Sequence, residues 1–191
     1  MLINQPAGLL LVRRLSKGIY QTNWRCLRNL STMPLKVGDS LPSIDLMENT
    51  PDSKVNIAEL FKNKKGILFA VPGAFTPGCS KTHLPGYVQD YDQLKQKGVD
   101  VIACVAVNDP FVMEAWGKDQ KAEGKIRMLA DTTAEFTKAI GMDVDVTDKL
   151  GGIRSKRYSM IIEDGKVKQL CLEPDGFGLT CSLSSNIQKL L

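Results

Sequence analysis

Two short apolar runs, Gly66–Val71 (GILFAV) and Val99–Val107 (VDVIACVAV), bracket a segment of helical length. This pairing constrains the fold more than any other feature of the chain. Runs so short and so continuously apolar read as strands covered on both faces, as neighbours in a parallel sheet are. Parallel neighbours need a crossover, so residues 66–107 are expected to form a β-α-β unit. The crossover is expected to be a helix over about 77–97, with Tyr87, Tyr91 and Leu94 on its packed face and Gly98 closing it. Pro85, inside that span, should kink or break it.

The rest of the chain keeps alternating. Ser43–Met47 and Val55–Ile57, around Thr50-Pro51-Asp52-Ser53, read as a hairpin, and Asn56 with Glu59 resembles a capping box opening a helix over 57–63. Asn108-Asp109-Pro110 caps a helix to about 120; Arg127–Ala130 reads as a strand and 133–140 as a helix. Tyr158–Glu163 and Lys166–Leu172 flank Asp164-Gly165, the clearest hairpin signal present, and a helix over 183–190 ends the chain. A mixed central β-sheet, parallel first and hairpin last, flanked by helices, is the α/β arrangement of a thioredoxin-like fold. At 191 residues and 43% hydrophobic content, the chain suits one such domain. No uncharged apolar stretch approaches the ~18 residues of a membrane span, and no stable membrane association is expected.

Charge separates a leader from this body. Residues 1–32 hold Arg13, Arg14, Lys17, Arg25 and Arg28 and no acid; these five taken from the 25 basic residues leave 20 against 21 acidic ones. A near-neutral body gives no footprint for nucleic acid. Wound as a helix, residues 9–20 place Leu11, Val12, Leu15 and Ile19 opposite Arg13, Arg14 and Lys17. An Arg-rich, acid-free, amphipathic leader reads as an organelle transit peptide over residues 1–30. Arg28-Asn29-Leu30 before Ser31 resembles a mitochondrial matrix processing site, so the domain is expected to span 31–191 in the mitochondrion. Met33 offers an alternative start that would leave a cytoplasmic form, and the Lys189-Leu190-Leu191 ending is a poor peroxisomal signal.

The chemical inventory is narrow. Cysteines stand at 26, 79, 104, 171 and 181, with no C-x-x-C pair, and His83 is the only histidine. Zinc sites and Ser-His-Asp arrangements lack support, so any chemistry is expected to rest on cysteine, arginine, hydroxyls and backbone groups. Directly after the first apolar run comes Pro72-Gly73-Ala74-Phe75-Thr76-Pro77-Gly78-Cys79-Ser80. Read as a helix start, Thr76 is the N-cap, Pro77 opens the helix, Gly78 follows, and Cys79 lies in the first turn. Unpaired N–H groups and the helix dipole there favour a thiolate, Gly78 admits a small substrate to the backbone, and the Thr76 hydroxyl can face the sulfur. A buried structural cysteine in a strand-helix turn fits the spacing equally well.

A resemblance separates these readings. Pro72, Thr76 and Cys79 match the P-x-x-x-T-x-x-C signature of the peroxiredoxins, and PGAFTPGCSKTHLPGY resembles their type-five, atypical two-cysteine branch. KVGD at 36–39, KAEGK at 121–125, KRYSM at 156–160 and EPDGFGLTCS at 173–182 extend the likeness over most of 34–191. Residues 141–156 match least, and the tail lacks the Tyr-Phe extension of easily overoxidised members.

The resemblance implies a thiol peroxidase without metal, haem or flavin. Cys79 would attack a hydroperoxide and become a sulfenic acid, with hydrogen peroxide, alkyl hydroperoxides and peroxynitrite as the substrate class. Arg157, otherwise read as a surface arginine beside Arg154 and Lys156, would join Thr76 and the Gly78 and Cys79 N–H groups in stabilising the transition state. Cys181 would resolve the sulfenic acid as an intramolecular disulfide, with thioredoxin as reductant and a monomer or weak homodimer as the assembly. Cys171, near Cys181 in sequence, is a minor alternative resolver; Cys104 reads as inert core and His83 as a structural helix residue. A one-cysteine peroxidase using an external thiol, and a redox relay passing the oxidation to partner proteins, stay open beside this.

Overall fold

The computed structural model describes residues 34–191; the leader, Cys26 and Met33 lie outside them. Strands β1 (Asp45–Glu48) and β2 (Thr50–Asn56) lead through α1 (Ile57–Leu60) to β3 (Lys65–Ala70). A helix follows, with a π-helical turn at Cys79–His83, continuing as α2 (Leu84–Gln89) and α3 (Tyr91–Gln96). Then come β4 (Val101–Ala106), α4 (Pro110–Asp119), β5 (Arg127–Ala130) and α5 (Glu135–Ala139). The chain ends with β6 (Asp143–Asp145), α6 (Thr147–Leu150), β7 (Ile153–Ser155), β8 (Tyr158–Glu163), β9 (Lys166–Leu172) and α7 (Ser184–Ile187).

The main sheet has seven strands in the order β2-β1-β5-β4-β3-β8-β9, and β6 pairs with β7 apart from it. β3, β4 and β5 run parallel, while β8 and β9 are antiparallel additions beside β3. This is a thioredoxin-like α/β fold with a mixed sheet. The strand period of two divides the core. Ile67, Phe69 and Val71 face one layer with Tyr87, Leu94, Trp116 and Ile187, while Leu68 and Ala70 face another with Phe61, Phe136 and Tyr158. The β8–β9 turn is the expected tight one, with Asp164 at φ 48° and Gly165 at φ 71°.

Three expectations change. The first hairpin turns at Asn49 (φ 63°), and Thr50–Ser53 belong to β2. An asparagine tolerates the left-handed turn, and β2 is an edge strand where Pro51 costs no ladder bond. The helix after it is one turn: Asn56 caps the Glu59 N–H at 3.3 Å, but the Glu59 side chain pairs with Lys62 at 3.1 Å instead of returning to the cap. The long crossover helix is broken at Asp90, not at Pro85. Pro85 has no N–H to offer, and the preceding turn widens so that the Leu84 N–H reaches the Cys79 carbonyl.

Candidate active site

β3 ends at Ala70, and the chain turns through Pro72–Gly78 at the carboxyl end of the parallel strands. The Ser80 N–H bonds the Thr76 carbonyl at 2.9 Å, so Thr76 stands at the cap and Pro77 opens the helix. Asn108 Oδ1 accepts the Ala74 N–H at 3.1 Å, and Trp116 Nε1 donates to Ser80 Oγ at 3.0 Å. Between these anchors Phe75 sits at φ 60°, more than half exposed at 54%. A bulky residue in that region costs about 1–2 kcal/mol. The anchors hold the loop in that shape all the same.

Cys79 is completely buried. Its Sγ lies 2.8 Å from Thr76 Oγ1 and 3.3 Å from Arg157 Nη1. Thr76 Oγ1 is also 3.0 Å from the Gly73 carbonyl. A hydroxyl has one proton, so Thr76 serves the carbonyl when it accepts from a thiol and turns to the sulfur when the sulfur is anionic.

Arg157 reaches the sulfur through sheet register. Ala70 pairs with Tyr158, and the alternation of β8 puts Arg157, Ser159 and Ile161 on the face that carries Cys79. The arginine is 4% exposed, so it does not belong to a surface cluster. Its Nε donates to the Phe177 carbonyl at 3.1 Å, while its Nη2 makes no hydrogen bond to the described residues. Gly78 makes this fit: a Cβ there would lie 3.3 Å from Nη2 and 3.4 Å from Leu179 Cδ1. Arg154, by contrast, ties the Val107 and Leu150 carbonyls together at 2.7 and 2.9 Å.

His83 completes the arginine's setting. Its Nδ1 is 3.2 Å from Arg157 Nη1 and its Nε2 is 3.0 Å from the Ser182 carbonyl. A guanidinium can only donate, so Nδ1 accepts and Nε2 carries the proton. Burial, then the Arg157 charge, push this imidazole down to about 3. The ring is a neutral hydrogen-bonding bridge. Tyr87 Oη and Ser159 Oγ meet the same Ser182 carbonyl at 2.8 and 2.7 Å.

Cys181 stands apart from Cys79. Both are free thiols, and Cys181 Sγ faces the Leu172 carbonyl at 3.5 Å. Its two neighbours are tied to Glu173, which takes the Thr180 N–H and hydroxyl at 2.9 and 2.5 Å and the Ser182 N–H and hydroxyl at 2.9 and 2.7 Å. Burial raises the Glu173 carboxyl, but these bonds outweigh it and bring it down to about 2. Burial, with the Glu173 charge next, pushes the Cys181 thiol up to about 11. Cys104 is fully buried on β4, and burial lifts its thiol well above the ordinary range.

A cleft of about 590 Å3 opens above this group, lined by Pro72, Thr76, Pro77, Arg157 and Phe177 together with residues of the 144–150 segment. The structure thus brings Pro72, Thr76, Pro77, Gly78, Cys79 and Arg157 together and leaves Cys181 on its own loop. His83 is the structural, hydrogen-bonded helix residue the sequence reading expected, although nothing in the sequence pointed to Arg157 as its partner. Sequence reasoning passed over two further contributors. Glu173 lay inside a quoted motif but carried no pattern of its own. The 144–150 wall had none.

The redoxin family profile matches residues 36–184. Peroxiredoxin-2E, chloroplastic, of Arabidopsis thaliana is 45% identical over 174 residues, covering 86% of this chain and 74% of that protein. Peroxiredoxin-2B of the same plant is 41% identical, covering 83% of this chain and 99% of that protein. Among solved structures, reduced Prx3 of Vibrio vulnificus in complex with h2o2 is 49% identical with a TM-score of 0.76, covering 82% of this chain and 98% of that one. Peroxiredoxin 5 of Alvinella pompejana is 48% identical with a TM-score of 0.72, covering 82% and 99%. A buried cysteine held by a threonine and an arginine, on this fold and at these identities, leads to one assignment: the chain belongs to the redoxin family and, within it, to the peroxiredoxins, which are thiol peroxidases.

Proposed function

We propose that the chain is a two-cysteine peroxidase of the type-five kind, in which Cys79 attacks hydroperoxides and Cys181 resolves it. The observation that carries this reading is the convergence of Thr76 Oγ1 at 2.8 Å and Arg157 Nη1 at 3.3 Å on one buried sulfur. The likeness to a structure titled as a complex with h2o2, and to a peroxiredoxin 5, supports it.

The step is a displacement at oxygen. Cys79 thiolate attacks one peroxide oxygen, an S–O bond forms, the O–O bond breaks, and the leaving oxygen takes a proton to depart as water or an alcohol. Charge spreads over both oxygens in the transition state. Arg157 Nη2, which bonds none of the described residues, and the Thr76 hydroxyl are preorganised to meet that charge. Pro72, Pro77 and Gly78 hold the backbone that leaves room for the peroxide. Cys181 thiol then displaces water from the Cys79 sulfenic acid, and thioredoxin reduces the disulfide by exchange.

Reaching Cys79 requires the Thr180–Ser182 segment to leave Glu173, because Cys181 faces Leu172 when reduced. To test the reading, the reduced full chain is treated with one equivalent of hydrogen peroxide and its cysteines are mapped by mass spectrometry. A Cys79–Cys181 disulfide within one chain is expected. Oxidised Cys79 with Cys181 and Cys171 both free would move the assignment to a one-cysteine peroxidase or a relay.

The acid-free leader with five basic residues supports delivery to the mitochondrion. Two relatives carry the word chloroplastic in their names, so organelle-directed members exist among similar proteins. A fluorescent reporter behind residues 1–32 is expected to enter mitochondria, and a diffuse reporter would remove this part of the proposal.

A further inference from the structure

Cys171 lies near the end of β9, opposite Ser159 on β8. Ser159 Oγ donates to the Ser182 carbonyl at 2.7 Å, so the chain at 181–182 crosses the face on which Cys171 stands. Cys181 Sγ in turn sits 3.5 Å from the carbonyl of Leu172, the residue after Cys171. Both thiols are partly exposed, whereas Cys79 and Cys104 are buried. Burial lifts the Cys171 thiol, interaction with the Cys181 side chain opposes that, and the Glu173 charge lifts it again.

We propose that Cys171 is a third redox cysteine, which takes over the disulfide from Cys79 once Cys181 has resolved it. This rests on Cys181 acting as the resolver. The Cys171 thiol gives its proton to solvent and its sulfur attacks Cys181 Sγ. A Cys171–Cys181 bond forms, the Cys79–Cys181 bond breaks, and the electron pair leaves with Cys79 sulfur. The exchange needs no outside oxidant or reductant, since one disulfide replaces another.

Two features give it direction. Of the three sulfurs, only Cys79 has a hydroxyl and a guanidinium aimed at it, so it is the one best left as an anion. Cys171 and Cys181 both stand near the Glu173 carboxylate, which disfavours either as a thiolate. The second feature is the loop. In the reduced chain Cys181 already stands beside the end of β9 and interacts with the Cys171 side chain while Thr180 and Ser182 stay bonded to Glu173, so a Cys171–Cys181 bond asks less of the loop than a Cys79–Cys181 bond. The transfer therefore returns Cys79 to its peroxide-reactive form and leaves the oxidation at a partly exposed pair that a reductant can reach.

A quenched time course on the reduced full chain tests this. One equivalent of hydrogen peroxide is added, thiols are alkylated at intervals, and disulfides are mapped. Cys79–Cys181 is expected first, giving way to Cys171–Cys181 with Cys79 again alkylated. Without reductant, the wild type should consume a second equivalent of peroxide at the freed Cys79, which then stays a sulfenic acid for want of a free resolver, against about one equivalent in all for Cys171→Ser, whose Cys79–Cys181 bond should persist. A wild-type Cys79–Cys181 bond that persists with Cys171 free overturns the relay and leaves the resolver reading standing. A direct Cys79–Cys171 bond, or Cys79 oxidised with no disulfide at all, overturns the resolver reading and the relay with it.

Discussion

Arg157 and His83 share a hydrogen bond, Nη1 to Nδ1 at 3.2 Å, and the same Nη1 stands 3.3 Å from the Cys79 sulfur. The other nitrogen of that imidazole donates to the carbonyl of Ser182, the residue after Cys181. One neutral ring thus links the arginine beside Cys79 to the loop that carries Cys181. His83 acts through Arg157 and is a positioning residue. His83→Ala should lower the second-order rate of Cys79 with peroxide about tenfold and cost about 1–3 kcal/mol of stability, because a buried acceptor and a buried donor both lose their partner. His83→Asn, which can accept and donate at similar reach, should recover most of the rate. Equal stability loss with no change in rate would reduce His83 to packing.

Acid should destabilise the fold in two stages. His83 is held at about 3 in the folded chain against an ordinary 6.5, by burial first and Arg157 second. The unfolded chain therefore binds the extra proton across that window, and stability falls as pH drops below 6.5. Glu173 is held at about 2 against 4.5, so its contribution is present above 4.5 and lost as pH falls toward 2. Urea unfolding at stepped pH should show a slope of up to about 1.4 kcal/mol per pH unit between 6 and 5. His83→Asn should flatten that part and leave only the Glu173 loss below 4.5.

The Gly78 position isolates the arginine's placement. Gly78 has φ −66°, a helical value any residue adopts, so alanine brings no backbone strain. Its Cβ would press Arg157 Nη2 at 3.3 Å and Leu179 Cδ1 at 3.4 Å. Gly78→Ala should cut the peroxide rate about tenfold while stability changes by less than about 1 kcal/mol. An unchanged rate would mean that Nη2 does not meet the substrate.

What the sequence made legible was local. Pro77 after Thr76 marks the helix start that lifts Cys79 to the sheet end, and Asp164-Gly165 marks its hairpin, because a few adjacent residues decide both. Arg157 was reachable only through resemblance, since the Ala70–Tyr158 register that delivers it joins residues 88 apart. The π-helical turn at Cys79–His83 left no periodic trace, and Tyr87 and Leu94 beyond it keep a helical spacing across the break at Asp90. Likewise β6, α6 and β7 hold three or four residues each, too few for a period to register, although β6 and α6 supply a wall of the cleft.

On the proposed mechanism, Glu173 sets how readily Cys181 is released. It fixes the residues on either side through four hydrogen bonds, two from Thr180 and two from Ser182, which hold Cys181 beside Leu172. Glu173→Gln keeps the shape but removes the charge that strengthens those bonds, and should cost about 1–3 kcal/mol of stability. The freed loop should then capture the Cys79 sulfenic acid sooner. Sulfinic acid forms only while the sulfenic acid waits for a second peroxide. At a modest peroxide excess, with thioredoxin recycling the disulfide, the variant should therefore accumulate less sulfinylated Cys79 than the wild type, read by intact-mass spectrometry. More sulfinic acid in the variant would mean that Glu173 presents Cys181 rather than restrains it.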